Sequence, residues 1–402
     1  MPVCDATAGV LLMFARWWLT LDQVLLQQRD FWQLQPMLAA WPAAFPTELV
    51  ALLERFTLAD CVEIDASPSL QRQHFAGFFP QLFAALPELP REPAADLSLP
   101  FWLSTDIGGR KWQQITQLAA CVGQAKRPVL EWCAGKGHLG KVMSFYYDAP
   151  VLSLEWQQNL CDASQHKAQQ LGLQQRFVHI DVLRQPVAPY LQPEQQMLAL
   201  HACGDLHRVA AREAMRAGCA ALALVPCCYH LQQAAQYQPL SVQAKQSGLT
   251  LSKADLRLAV QQSCTGGERV ARLSQTEMLW RQLWWQWRRQ LGLDYQPLRS
   301  VGKHWFSGEL SDFLAFAGAE HQLAPPAEAL LPDLLQRAGQ GLLQQRRLEL
   351  VQHLFRRPLE LWLVLDLALY LQAQGYQISL SELCAPELTP RNVLLQAVRR
   401  KE

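Results

Sequence analysis

The sequence has almost no net charge, no paired-cysteine spacing and no long uncharged apolar run. Across 402 residues, 36 Lys and Arg stand against 35 Asp and Glu, a formal charge of +1. That balance excludes a chain-wide attraction to polyanions. Eleven cysteines are scattered, mostly within apolar runs, and none stands in a Cys-x-x-Cys pair. A zinc ribbon or finger is excluded by spacing, and reduced thiols are expected rather than a disulfide framework. The apolar stretch from Gly9 to Leu26 is broken by Arg16 and Asp22. No run that is both uncharged and continuously apolar reaches the roughly 18–20 residues of a membrane span. No basic region leads into an apolar core as in a secretory leader. The expectation is a cytoplasmic protein with no membrane partner and no obligate protein partner.

Half of the residues are hydrophobic, enough for a sizeable core, and the length suggests two or three domains. Charge is uneven along the chain. Residues 1–96 hold 5 basic and 11 acidic residues, whereas residues 97–267 hold 15 and 10. The middle of the chain is mildly basic, which permits a nucleic-acid substrate without demanding one.

The most informative segment is Val129-Leu130-Glu131-Trp132-Cys133-Ala134-Gly135-Lys136-Gly137-His138-Leu139-Gly140. An apolar run ends in an acid, a glycine-rich turn follows, and a helix begins. This order builds a nucleotide-cofactor site, because glycines admit a ligand that any Cβ would push away. Gly135-x-Gly137-x-x-Gly140 fits the dinucleotide fingerprint. It also fits the S-adenosylmethionine loop, in which the strand-end acid Glu131 would help hold the charged methionine end. Glu131 favours the second, since a carboxylate beside a pyrophosphate would repel it.

Residues 1–84 read as helical, and Pro87, Pro90, Pro93 and Pro100 mark a linker. From residue 97, helices and strands alternate. Strands are expected at 128–133, 151–154, 176–180, 197–201 and 221–225, separated by helices at 138–146, 158–170 and 206–216, with a helix at 109–122 before the first. Such alternation implies a parallel sheet with right-handed crossovers. Acids close three successive strands: Glu131, Glu155 and Asp181. Ligands of an open α/β sheet sit outside the carboxyl ends of the strands. Glu155, 18 residues beyond Gly137, is placed to grip two ribose hydroxyls, and Asp181 to meet an adenine amino group. Near the end of the chain, a helix at 358–374 and strands at 377–383 and 393–398 read as the close of the same sheet.

Together these segments resemble the class I S-adenosylmethionine-dependent methyltransferases, and more narrowly the methyltransferase-like twenty-five family. The resemblance rests on Cys133 to Gly140, on Leu200-His201-Ala202-Cys203-Gly204-Asp205-Leu206 and on Pro226-Cys227-Cys228-Tyr229-His230, in that order. Thr389-Pro390-Arg391-Asn392 is similar to a further Ser-Pro-Arg-Asn segment of the family. The likeness covers residues 105–265 well and 355–400 in part, and residues 1–96 do not contribute. One departure is Arg110-Lys111-Trp112-Gln113-Gln114, where the family often has Lys-Lys-x-His-Glu, so no role of that His and Glu is carried over.

The resemblance implies a Rossmann-like class I methyltransferase sheet with an N-terminal helical domain and a helical insertion before the last two strands. The expected division is 1–96 (helical domain and linker), 97–231 (core), 232–355 (insertion) and 356–402 (end of the core). S-adenosylmethionine, leaving as S-adenosylhomocysteine, is the implied cofactor. Its expected contacts are Glu131, Cys133, Ala134, Gly135, Lys136, Gly137, Leu139, Glu155, Trp156, Asp181, Val182 and His201. A related group of tRNA 2′-O-methyltransferases carries a Cys-Cys-His segment at the equivalent strand end, which tilts the substrate toward RNA. The alternatives are a protein or small-molecule acceptor, and a non-catalytic module that keeps the cofactor fold. A dehydrogenase stands behind these.

Methyl transfer needs in-line alignment and removal of a proton. The catalytic candidates follow the fourth and fifth strands: His201, Cys203, Asp205, Cys228, Tyr229 and His230, with Cys227 beside them. His230 or Asp205 could serve as base for a ribose hydroxyl. A thiolate at Cys203 or Cys228 could attack a pyrimidine ring. The plainer readings are a buried Cys227 or Cys228, and Asp205 as a helix cap. No metal site is expected: Cys203, Cys228 and His230 could hold zinc, but their spacing lends no support. In the insertion, Trp280, Trp284, Trp285 and Trp287 lie beside Arg281, Arg288 and Arg289. This is a core face or a stacking clamp for nucleic acid, and the core is the preferred reading. Arg299, Lys303, His304, Arg346, Arg347, Arg356 and Arg357 are further candidates for phosphate contact, or a solvated helix face.

Overall fold

The computed structural model describes residues 4–261 and 268–400. It divides into two compact units, residues 1–26, 85–260 and 357–402 forming one and residues 27–84 and 261–356 the other.

The first unit is built on seven strands: β1 Val129–Trp132, β2 Val151–Glu155, β3 Gln175–His179, β4 Gln196–Cys203, β5 Ala221–Cys227, β6 Tyr376–Glu382 and β7 Val393–Arg399. Their order across the sheet is β3-β2-β1-β4-β5-β7-β6. The first five are parallel, and β7 runs antiparallel to both β5 and β6. This is the expected Rossmann-like methyltransferase sheet. The strand order reverses between β1 and β4, which puts the ligand crevice at the carboxyl ends of those two strands.

Local sequence explains the elements. All residues of β1 and β5 are buried, as strands covered on both faces by crossover helices must be. Helix Gly109–Val122 turns Ile115, Leu118, Ala119 and Val122 toward Val129, Val151 and Leu198 of the sheet. Helix Asp205–Ala217 stops at Gly218, whose φ of 66° accepts the left-handed cap.

The boundaries differ from those expected, for identifiable reasons. The proline-rich segment is not a free linker. Glu92 N donates to Glu382 O, Glu382 N donates to Pro90 O, and Arg91 pairs with the Glu382 carboxylate at 3.1 Å. The segment thus covers the exposed edge of β6, where unpaired backbone would invite aggregation. Gln117 holds it from the other side, accepting from Ala95 N and donating to Pro93 O. The first helix, Cys4–Gln27, also belongs with the sheet through residue 26. Its Asp22 carboxylate accepts from Ser247 Oγ and Trp362 Nε1. Residues 232–260 are not inserted helix. They carry only two short helices, Val242–Gln246 and Lys253–Leu258, and they pack with the sheet unit.

The anchor of that last segment is Asp366, which is fully buried. Its carboxylate accepts from Leu240 N at 2.9 Å, Ser241 N at 2.7 Å and Tyr237 Oη at 2.8 Å.

The second unit is helical. Trp280, Leu283 and Trp284 of helix Glu268–Gln290 pack on Phe306, Phe313, Leu314, Leu334 and Ala338. Trp285 is buried as well, and Trp287 donates Nε1 to Ala324 O. The tryptophans are core, as preferred. Many of the arginines are spent internally too. Arg281 pairs with Glu277 and donates to the carbonyls of Leu298 and Arg299. Arg288 donates twice to Asp294 O, and Arg347 to the carbonyls of Glu54 and Phe56. Arg346 pairs with Glu349, and Arg356 with Asp65. Arg299 and Lys303 reach the surface but pair with Glu320 and Glu277.

Replacing Asp366 with Ala leaves two buried amides and a phenol hydroxyl without an acceptor. The expected cost is about 3 kcal/mol or more, read as a lower denaturant midpoint. An unchanged midpoint would remove Asp366 from this role.

Candidate active site

The glycine turn follows β1 with Cys133 (φ 55°), Gly135 (φ 57°) and Gly137 (φ 65°) all left-handed. Ala134 N donates to Leu154 O, and Gly137 N to Ala134 O, which closes the turn. Helix His138–Tyr147 starts directly after it. A Cβ at Gly140 would sit 2.5 Å from the Glu131 carboxylate, and one at Gly137 would strike Phe177 at 2.2 Å. Those two glycines serve packing beneath the loop. Gly135 is different, because a Cβ there would meet nothing within 4 Å. It is the position that leaves room for a ligand.

Glu131 does not face that room. Its carboxyl is buried under the loop, accepting from Ser153 Oγ at 2.6 Å and Gln175 Nε2 at 3.3 Å. Burial pushes it up to about 7, against the pull of Ser153 and of the Gly140 and Leu139 amides. It therefore props the loop rather than holding a cofactor's ammonium group. Leu139 likewise points into the core. Glu131 lies within β1, which is covered on both faces, so its side chain has no path to the crevice, and Leu139 is on the core-facing side of the helix that follows the loop.

Glu155 and Asp181 lie at and just past the carboxyl ends of β2 and β3. Glu155 ends β2, and its two oxygens accept from Gly135 N at 2.8 Å and Gln157 N at 3.0 Å. A carboxylate has about four lone-pair sites, so two remain for ribose hydroxyls. Trp156 is 64% exposed and offers its ring as a stacking face. Asp181 follows β3 and accepts from Leu183 N, and Val182 beside it is buried. Cys133, Ala134 and Gly135 are half-buried and Lys136 is exposed at the lip of the loop.

The catalytic candidates fall into two groups. His201 interrupts β4, where the register shifts between Leu200 and Ala202, and has φ 60°. Its Nε2 lies 2.6 Å from Gln114 Oε1. Burial and then Arg391 lower its pKa to about 4, so the ring is neutral at pH 7. With Nε2–H given to Gln114, Nδ1 is the accepting nitrogen. Cys203 and Cys227 are register partners on β4 and β5, with their Sγ atoms 3.3 Å apart. Cys228 has φ 46° and its Sγ lies 3.9 Å from Arg391 Nη1. Hydrogen bonds from Cys203 and Cys227 pull Cys228 down, with Arg391 assisting, while Cys227 is pushed up.

Asp205 and Tyr229 stand apart from these, whereas His230 lies within electrostatic reach of Cys228 and Arg391. Asp205 opens helix Asp205–Ala217, and its oxygens are taken by Arg208 Nη1 at 3.1 Å and Gln233 N at 2.7 Å. It ties down the loop after β5 instead of facing a substrate. Tyr229 is buried with its ring against His207 at 5.5 Å, so its hydroxyl is sealed from the crevice. His230 is half-buried, and burial lowers its pKa.

Two residues escaped the sequence reading. Gln114 stands where the departure from the family pattern was noted, and it proves to be the partner of His201. Arg391 was matched as a motif letter without a role. The antiparallel ladder pairs Leu224 with Leu395, and four further residues in each direction bring Cys228 opposite Arg391. That adjacency belongs to the sheet and has no local signal.

A family model described as a methyltransferase domain matches residues 110–235, which span β1 to β5. No curated protein sequence matches the chain. Among solved structures, it is similar to a candidate sarcosine dimethylglycine methyltransferase from Galdieria sulphuraria, at 14% identity over 33% of this chain and 53% of that one, with a TM-score of 0.26. The chain thus spans about half the length of that relative. It is also similar to magnesium protoporphyrin IX methyltransferase from Synechocystis PCC 6803, at 10% identity over 83% and 100% of the two chains, with a TM-score of 0.31. A coclaurine N-methyltransferase bound to N-methylheliamine and S-adenosylhomocysteine gives 9% identity over 88% and 99%, with a TM-score of 0.29. The stretch that matches the methyltransferase-domain model, residues 110–235, carries the parallel strands β1 to β5 of the sheet.

Glu131 supplies a test of the loop support. Its folded value near 7 lies above the ordinary 4.5, so the folded protein keeps a proton that the unfolded chain releases. The contribution is complete below about pH 4.5 and is lost as pH rises through 7, an effect of roughly 3 kcal/mol. Glu131→Gln should flatten that part of the stability–pH profile in urea titrations. An equal slope in the variant would show that Glu131 does not titrate there.

Proposed function

We propose that this chain is an S-adenosylmethionine-dependent methyltransferase whose acceptor sits over the carboxyl ends of β4 and β5. One observation carries the reading: the open Gly135 cradle, the Glu155 carboxylate and the exposed Trp156 ring stand together at adjacent strand ends. These residues would hold the cofactor's backbone, ribose and purine, with Asp181 beside the purine edge. Bound there, the sulfonium supplies an electrophilic methyl group. The protein's own part is orientation and proton removal. Gln114 fixes the His201 ring so that Nδ1 accepts, and the neutral ring can take the acceptor's proton as the new bond forms. Cys203 lies two residues on, with its Sγ 3.4 Å from His201 O.

For the acceptor we infer RNA, from the Cys-Cys-Tyr-His resemblance and the basic excess of residues 97–267. A small-molecule or protein acceptor is the second reading, favoured by the internal pairing of Arg281, Arg288, Arg346 and Arg347. The narrower family resemblance belongs to this inference as well.

Calorimetric titration with S-adenosylmethionine should show one site, weakened about 10-fold or more by Glu155→Ala, because two ribose hydroxyls lose a charged acceptor. Absence of binding to the wild-type chain would overturn the enzyme reading. For RNA, the observed association constant should fall steeply with salt, in proportion to the phosphates contacted. A flat salt dependence would favour the second reading.

A further inference from the structure

The carboxyl ends of β4 and β5 hold three thiols whose convergence is not required by packing. The Sγ atoms of Cys203, Cys227 and Cys228 lie within 4.8 Å of one another, those of Cys203 and Cys227 at 3.3 Å. Neighbouring residues of a strand point to opposite faces of the sheet, so Cys227 and Cys228 should diverge. They converge because Cys228 leaves the strand in the left-handed region, with φ 46°, a conformation that a side chain with a Cβ adopts at a cost. Cys203 is brought in by register, as the partner of Cys227 on the adjacent parallel strand. Cys227 is buried and the other two are half-buried, so the group opens on one side only.

The spacing matches a metal. A tetrahedral zinc–thiolate bond is about 2.3 Å, which sets sulfur–sulfur edges at about 3.8 Å. Three sulfurs within 4.8 Å of one another, Cys203 and Cys227 at 3.3 Å, outline one face of that tetrahedron. Three thiolates around a divalent ion leave one negative charge, and Arg391 stands 3.9 Å from the Cys228 sulfur to balance it. We propose that Cys203, Cys227 and Cys228 form a soft-metal site, of the zinc class, with three thiolate ligands and Arg391 in support. Three protein ligands leave a fourth position for water or substrate, the pattern of catalytic rather than structural zinc. Resting on the methyl-transfer reading above, that position would seat an acceptor oxygen or sulfur beside the cofactor cleft.

The test uses the full chain, reduced and stripped with chelator, then titrated with zinc or cobalt(II). One equivalent should bind, and the cobalt form should show intense thiolate-to-metal absorption in the near ultraviolet. X-ray absorption on the zinc form should count three sulfurs at about 2.3 Å. Cys228→Ser should remove the cobalt band with the far-ultraviolet dichroism unchanged. Arg391→Ala should keep the stoichiometry and weaken zinc about 10–100-fold. Fewer than three sulfurs in the wild-type protein, or a cobalt band undiminished in Cys228→Ser, would overturn the site. A chain that binds zinc in this way but no S-adenosylmethionine would leave the metal site standing and remove the methyl-transfer reading.

Discussion

The buried carboxyl of Glu131 is the constraint on which the crevice depends. It sits inside a strand covered on both faces, where a charged group is costly. What it gains is a polar row running sideways through the sheet: Ser153 on β2 and Gln175 on β3, with Gln175 Nε2 reaching up to Gly137 O. This row is the floor on which the glycine turn rests. Gly140 must be glycine because the carboxyl occupies the space of its Cβ. Gly137 must be glycine because Phe177 and Gln175 occupy its own. Only when those two are held down does Gly135 stand free, with its amide turned to Glu155. An acid that reads in sequence as a cofactor ligand is thus one step removed from the ligand.

Much of this was legible beforehand, and the reason is local. Helix Gln158–Gln170 and strands β1 to β5 follow from period and punctuation: apolar runs bounded by glycine, proline and acid. The antiparallel finish was legible from the helix and two strand patterns near the end of the chain. What sequence could not carry was anything set by an approach between distant segments. The proline run looks like a linker until its backbone is seen paired with Glu382 on β6. Arg281 looks like part of a stacking clamp, and Arg288 and Arg347 like a phosphate edge, until the backbone carbonyls they cap come into view. Cys203, Cys227 and Cys228 are separated so that no metal-ligand spacing exists, and only the β4–β5 register unites them. Gln114 showed itself as a departure from a pattern, with no indication of its partner.

Three of the eight described non-glycine residues with positive φ stand at the same place. Cys133, His201 and Cys228 have φ values of 55°, 60° and 46°, and they stand at or beside the carboxyl ends of β1, β4 and β5. Each costs of order 1–3 kcal/mol over relaxed backbone. Three such residues at the mouth of one crevice, none of them glycine, indicate that side-chain direction was retained at the expense of backbone comfort. Together they turn an imidazole and two thiols inward from strands that would otherwise alternate them away.

The insertion of β7 between β5 and β6 has a consequence for how the molecule is made. A strand that lies in the interior of a sheet but comes last in the order of synthesis leaves its neighbours waiting. While the polypeptide is still emerging from the ribosome, β5 has one edge satisfied by β4 and the other bare. Arg391, which faces the thiols, arrives only with β7. The crevice is therefore assembled in two instalments: strands β1 to β5 with their thiols first, and the Arg391 side only once β7 has joined β5. A nascent chain at that stage holds the three clustered sulfurs behind an unfinished wall, which is when a chaperone or a metal donor would find them most open.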